Sequence, residues 1–168
     1  MPTGKLVRFW RHLVADHRSA RRAFPSSALK RIETAIASGE QRHAGQVEFV
    51  VEAALPLALV LHALSPRERA LEVFGRLRVW DTEENCGVLV YLLLADKAVE
   101  IVADRGIHRR VGDAPWRSIC RTMEAAYRER RFEEGAVAGV DAINALLIEH
   151  FPRQRPGPNE LPDKPVLI

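Results

Sequence analysis

The stretch GVLVYLLLADKAVEIVA, from Gly87 to Ala103, decides the fold. It contains two runs rich in β-branched and other apolar residues, 87–94 and 98–103, joined by the short link 95–97. Two such runs with a short connection predict an antiparallel β-hairpin with its turn near residue 96. Because the first run is apolar on both faces, we expect it to be a central strand with helices above and below it.

Strand and helix patterns surround this hairpin on both sides. Upstream, residues 46–53 alternate like a strand, and the capping sequence Ser65-Pro66-Arg67-Glu68 begins a helix. Downstream, two helical patterns start near residues 113 and 132. Since every sheet face and every apolar helix stripe must find cover, this order predicts an α/β fold, a three-layer α/β/α sandwich with a small mixed central sheet.

The N-terminal segment, residues 1–25, is basic and amphipathic. Residues 1–31 hold eight Lys or Arg residues and a single Asp. Apolar residues recur in it at helical spacing with arginines between them, which predicts one amphipathic helix with the face Leu6, Phe9, Trp10, Leu13 and Val14. Two interpretations stay open: the helix packs on the core with a solvated charged face, or it makes peripheral contact with an anionic membrane or an acidic partner.

Composition bounds the class of protein and its compartment. With 168 residues, 47% of them hydrophobic, the chain can bury the core of one domain without a disulfide or a metal. Charged residues interrupt the apolar runs near the N-terminus, and the longest apolar stretch, 53–64, is too short to span a bilayer. We therefore expect a cytoplasmic protein. No nucleic-acid partner is expected, because no recognition motif or set of stacking aromatics accompanies the basic segment.

Several separated motifs follow one another in a definite order around the hairpin. They are WDT (80–82), ENCGVLVY (84–91), VEIVADRGI (99–107), HFP (150–152) and NELPDKP (159–165). Together they resemble the TPM domain family. The resemblance implies a TPM-like α/β/α domain over residues 26–152, preceded by the basic segment 1–25 and followed by an extended proline-rich tail, 153–168.

The resemblance also implies what the protein does. Members of this family are linked to photosystem II repair or are anchored in bacterial membranes, and divalent-metal binding and phosphatase activity have been attributed to some of them. We therefore expect a module that binds a protein partner or a divalent metal, in membrane-protein maintenance. The alternative is a metal-dependent phosphatase that acts on phosphomonoesters. No catalytic residue and no organic cofactor is predicted.

The candidate metal site is an acidic edge of the sheet. With a turn near residue 96, Val88 lies opposite Asp104, so the loop that enters the first strand meets the loop that leaves the second. This edge collects Asp81, Glu84, Asn85 and Asp104, with Asp113 nearby at a helix start. Carboxylate and amide oxygens are suitable ligands for Ca²⁺ or Mg²⁺. Alternatively, these groups are solvated, cap helices or pair with neighbouring arginines.

Overall fold

The computed structural model describes residues 3–154 and 159–168. Residues 1–2 and residues 155–158 of the expected tail lie outside the described residues. In chain order the elements are α1 (Thr3–Val14), α2 (His17–Ala23), α3 (Ser26–Glu40), β1 (Gln46–Glu52), α4 (Leu57–Leu61), α5 (Pro66–Arg76), β2 (Gly87–Leu93), β3 (Ala98–Ala103), α6 (Arg105–Val111), α7 (Asp113–Arg128), α8 (Phe132–His150) and β4 (Val166–Leu167).

The sheet is mixed, with the strand order β3-β2-β1-β4. β2 and β3 form the antiparallel hairpin that the sequence predicts, whereas β1 runs parallel to both β2 and β4. A parallel pair needs a crossover connection, and α4 with α5 supplies it between β1 and β2. The predicted small mixed sheet is therefore confirmed.

The helices cover both faces of this sheet and give the predicted three layers. On one face, Phe49 of β1 and Val90 of β2 share an apolar core with residues of α3, α7 and α8. On the other face, Val50 and Leu89 pack with residues of α4 and α5, and Phe9 of α1 joins them. Every residue of β2 is buried, as expected for a central strand between two layers of helices.

The hairpin register differs by one residue from the prediction. Val88 pairs with Ala103 rather than with Asp104. The link between Leu93 and Ala98 takes four residues, because Lys97 adopts a left-handed conformation with φ 52° and its N–H closes the turn onto the Leu94 carbonyl at 3.0 Å. The pairing nevertheless extends by one residue to Asp104, because the Asp104 N–H donates to the Gly87 carbonyl at 2.8 Å.

The N-terminal segment contains two helices where one was predicted. Asp16 interrupts the predicted helix. Its side chain accepts from the Ser19 N–H at 2.8 Å, and the Asp16 N–H donates to the Ser19 hydroxyl at 3.1 Å. This reciprocal cap starts α2 as a separate helix.

Two short elements go beyond the sequence expectations. The predicted hairpin is followed by α6, a helix that was not predicted, and the last residues of the tail form β4 beside β1. Ile168 extends this pairing, since its N–H donates to the Val51 carbonyl at 2.9 Å. The tail therefore completes the sheet at one edge.

Candidate functional site

The acidic edge forms where α6 begins. Asp104 is the residue before that helix, and its Oδ1 accepts from the Arg105 N–H at 2.6 Å. The Ile107 N–H donates to the Asn85 carbonyl at 3.3 Å, and a Cβ added at Gly106 would overlap that same carbonyl. The two loops therefore meet as predicted, and Gly106 is required for their close approach.

Four of the five predicted metal ligands are divided between two depressions in the surface. Asp104 and Asp113 line a groove of about 650 Å³ that runs along β3, which we call the β3 groove. Glu84 and Asn85 line a second pocket of about 480 Å³ on the other side of the α6 start. Asp81 is exposed and lines neither of these two depressions.

These residues do not fit a divalent cation as the chain places them. Across residues 3–154 and 159–168, no three His, Cys, Asp or Glu side chains are grouped closely enough to hold a metal ion. Buried Asp104 keeps Oδ2 without a hydrogen-bond partner, which would suit a cation. Glu84, however, shares its pocket with Arg105, Arg109 and Arg110, whose charges oppose one. The metal site stays a prediction, and we derive no step through it.

Neither cysteine is placed as a nucleophile. Burial raises the pKa of the Cys86 thiol to about 12 and that of the Cys120 thiol to about 11. A thiol with a raised pKa stays protonated near neutral pH, whereas the thiolate is the reactive form. The two cysteines therefore give no support to a catalytic site.

The β3 groove has the edge strand of the sheet as its floor and helices as its walls. Leu71 of α5 and the nearby Trp80 line it while 49% and 50% exposed, and Trp116 of α7 lines it while only 5% exposed. Ion pairs occupy its rim: Arg67 lies 3.5 Å from Glu100, and Arg117 lies 3.4 Å from Asp113. The groove thus combines exposed apolar surface with charges that are largely paired.

A second feature of the surface is the outer side of α1. It consists of five apolar side chains that are 46% to 73% exposed, and we call it the α1 apolar face: Leu6, Val7, Trp10, Leu13 and Val14. Four of these residues belong to the apolar face that the sequence predicts, and of that face only Phe9 turns inward. The interpretation that this face packs on the core is therefore wrong.

Polar side chains attach α1 to the sheet layer instead. The Arg8 guanidinium lies 2.9 Å from Asp96 in the hairpin turn, and Arg8 Nη2 donates to the Leu64 carbonyl at 2.7 Å. His12 is buried, and its Nδ1 accepts from the Leu55 N–H at 2.9 Å. His12 Nε2 lies 3.2 Å from Asp96 Oδ1, in a contact without hydrogen-bond geometry.

A buried charged cluster elsewhere is structural. Arg69 of α5 binds both carboxylate oxygens of Glu52 at 2.9 Å, and the Tyr91 hydroxyl donates to Glu52 at 2.7 Å. All three side chains are buried and join α5 to the two central strands. Their polar groups satisfy one another, so this cluster offers no open site.

The comparison with protein families now identifies the chain. The family model described as "TPM domain" matches residues 20–146, more than half of the chain. The chain belongs to the TPM domain family. The search of curated proteins gave no match.

Two solved structures resemble this TPM domain. The NMR structure of the BA42 protein from the psychrophilic bacterium Bizionia argentinensis has a TM-score of 0.75 and 25% sequence identity, covering 86% of this chain and 94% of that chain. The N-terminal domain of a protein from P. gingivalis has a TM-score of 0.50 and 21% identity, covering 75% and 76%, and this likeness shows the fold alone.

The TPM match also locates the α1 apolar face relative to the domain. The match begins at residue 20, inside α2, so α1 precedes the matched part of the TPM domain. Among the helices of the described ranges, none has the length and apolar character needed to cross a membrane. Among the described residues, α1 presents the largest group of exposed apolar side chains on one helix.

Proposed function

We propose that this TPM domain is a non-catalytic binding module that docks on anionic membranes through α1. The observation that carries the proposal is the α1 apolar face, five apolar side chains exposed together on one helix. Single exposed apolar residues are ordinary, whereas a contiguous exposed face indicates an interaction surface. Work at a membrane surface agrees with the role in membrane-protein maintenance that the family resemblance suggests.

Charge supports a lipid surface as the occupant of this face. Five exposed basic residues of α1 and α2 form no salt bridge with any other residue in the described ranges: Lys5, Arg11, Arg18, Arg21 and Arg22. Each basic residue near an anionic bilayer contributes about 1 kcal/mol of attraction. An apolar helix face combined with basic residues in the same segment is typical of helices that lie in the membrane interface.

The attachment of α1 makes this surface permanent. Asp96 holds Arg8 and His12 on the inner side of the helix, and this leaves the five apolar side chains on the outer side. Docking therefore requires no refolding of the helix, which keeps the entropy cost of binding low.

A vesicle co-sedimentation experiment tests the proposal. We expect the full chain to sediment with vesicles that contain phosphatidylserine, to bind phosphatidylcholine vesicles weakly, and to dissociate as salt is raised. The double variant Trp10→Ser, Leu13→Ser should lose most of the binding. The matched control Trp80→Ser, which changes an equally exposed tryptophan outside α1, should retain it.

Two outcomes would contradict the proposal. One is equal sedimentation of the double variant and the control. The other is self-association of the chain through α1 without vesicle binding, which would assign the α1 apolar face to a second copy. Nothing favours the phosphatase alternative over a binding role, because the described residues contain no group of three His, Cys, Asp or Glu side chains placed to hold the metal of such an enzyme.

A further inference from the structure

The β3 groove lies where the edge of the sheet is left open. The Asp104 N–H donates toward β2, to the Gly87 carbonyl, so the alternation of an antiparallel pair turns the backbone groups of Val99, Ile101 and Ala103 away from β2. Side chains complete this edge at two of these positions. Val99 N–H donates to Glu124 at 3.2 Å, and Arg67 donates to the Ile101 carbonyl at 2.6 Å.

Ala103 is the exception along this edge. It is half-buried, it lines the groove, and no side chain in the described parts of the chain bonds its outward N–H or C=O. An uncovered edge position of a strand is a site where the main chain of another polypeptide can pair. Because Ala103 lies inside the groove, only a short extended segment can pair with it.

Two buried side chains of the groove also lack partners. Asp104 is 7% exposed and Trp116 is 5% exposed, and neither Asp104 Oδ2 nor Trp116 Nε1 has a hydrogen-bond partner. Buried polar atoms without partners are rare in native structures and call for an explanation. A peptide main chain carries both a donor for the carboxylate oxygen and an acceptor for the indole N–H.

The charges of the groove favour a peptide that ends in a carboxylate. Glu100 and Asp113 are paired with Arg67 and Arg117 at the rim. Buried Asp104 is the unpaired anion of the groove, and the main-chain N–H described above complements it. Arg105 is exposed, lines the groove and forms no salt bridge within the described ranges. A free C-terminal carboxylate complements it.

We propose that the β3 groove binds the C-terminal end of another polypeptide in extended form. The main chain of that segment pairs with Ala103, an apolar side chain packs between Leu71 and Trp80, and the terminal carboxylate binds Arg105. The proposal goes beyond the proposed function, because it assigns a polypeptide partner to a second surface. Its test uses no membrane, so the two proposals fail separately.

The test is an NMR titration of the full ¹⁵N-labelled chain with the peptide acetyl-Ser-Gly-Ser-Val-Leu-Val-Leu carrying a free C-terminal carboxylate. We expect saturable shifts of the Ala103 amide and of the Trp80 and Trp116 indole signals. The same peptide with a C-terminal amide should bind about tenfold more weakly, the factor expected for loss of one charge-assisted hydrogen bond.

Matched variants separate the groove from its surroundings. Arg105→Gln should weaken binding of the free acid to the level of the amide, whereas Arg109→Gln, in the same helix but outside the groove, should not. Leu71→Ser should weaken both peptides, and Leu77→Ser, an exposed leucine outside the groove, should weaken neither. Absence of saturable shifts, shifts centred away from β3, or equal binding of acid and amide would overturn the proposal.

Discussion

Two carboxyl groups are buried at β1, that of Glu40 at the end of α3 and that of Glu48 in the strand itself. Glu40 accepts from the Val47 N–H at 2.8 Å, and Glu48 keeps Oε1 without a partner. Burial raises the pKa of Glu40 to about 8 and that of Glu48 to about 7, and the negative charge of Asp163 in the tail adds to both shifts. These carboxyls therefore keep their protons in the folded chain at pH values where the unfolded chain has lost them.

The sign of the resulting pH dependence follows from linkage. Between the ordinary pKa of 4.5 and the folded value of about 7, Glu48 destabilises the fold as pH rises, by up to about 1.4 kcal/mol per pH unit. We expect Glu48→Gln to remove this contribution. The variant should therefore exceed the parent chain in unfolding free energy by more at about pH 8 than at about pH 5.

Urea denaturation at the two pH values measures this difference. Glu149→Gln, which changes an exposed glutamate, is the control and should show no widening. A constant difference for Glu48→Gln across the range would mean that Glu48 ionises normally in the folded chain.

At the scale of the residue, sequence patterns found the strand that carries Glu48 but not this behaviour. The alternation of β1 placed Glu48 on one face of the sheet, where a solvated carboxylate would have been ordinary. Its burial depends on cover from other parts of the chain, as the influence of Asp163 in the distant tail illustrates. Local periodicity carries no information about contacts of that kind.

At the scale of the element, α1 shows how a correct pattern can give a wrong orientation. Its helical period was readable, since apolar residues recur every three or four positions. Which side turns inward is decided by Asp96, which lies in the turn of the β2–β3 hairpin and pairs with Arg8 and His12. An ion pair between residues so far apart in sequence overrides the apolar stripe and cannot be read from it.

This attachment predicts a local effect of changing Asp96. We expect Asp96→Asn to release α1, because Arg8 loses its ion-pair partner and His12 loses the carboxylate next to its Nε2. Hydrogen exchange of the α1 amides should accelerate at least about tenfold. The β2 amides should keep their protection. Hydrogen exchange with mass spectrometry measures both segments in one sample.

The control for this experiment is Asp141→Asn, which changes an exposed aspartate of α8. It should leave α1 and β2 as they are in the parent chain. Unchanged exchange of α1 in Asp96→Asn would show that apolar contacts such as those of Phe9 suffice to hold the helix.

The other elements illustrate where prediction from sequence ends. The β2–β3 hairpin was predicted because long apolar runs and a short link leave few alternatives. α6 was missed although a signal existed, since Asp104 stands where a helix cap is favoured. β4 is only two residues long, too short to show any period, and it is a strand solely because β1 offers an open edge.

At the scale of the whole molecule, the chain separates a packed TPM sandwich from two open surfaces. The sandwich buries its apolar residues on both faces of the sheet, and its two cysteines are free thiols. The α1 apolar face lies outside that core, whereas the β3 groove shares Ile101, Val102 and Trp116 with it. The fold could therefore be predicted from periodicity and motifs, whereas the surfaces depend on how distant segments meet.

The charges around the acidic edge lead to a prediction about divalent metals. Because Glu84 lies beside three arginines and Asp113 is already ion-paired, we expect Ca²⁺ or Mg²⁺ at about one millimolar, the upper range of extracellular calcium sites, to leave the melting temperature unchanged. Removal of trace metal by a chelator should also have no effect. Differential scanning fluorimetry measures both.

A rise of several degrees with Ca²⁺ would instead support the metal site predicted from the sequence. In that case Asp104→Asn should abolish the rise, and Asp141→Asn, the exposed control, should preserve it.

The central claim is that the α1 apolar face enters the membrane interface, and the tryptophans of the chain allow a direct measurement. The chain has three of them, at positions 10, 80 and 116. One single-tryptophan form keeps Trp10, with Phe at the other two positions, and a second keeps Trp80. With vesicles that contain phosphatidylserine and brominated lipid, we predict a blue shift and quenching of Trp10 emission and unchanged Trp80 emission. Unquenched Trp10 in a form that still folds would contradict the claim.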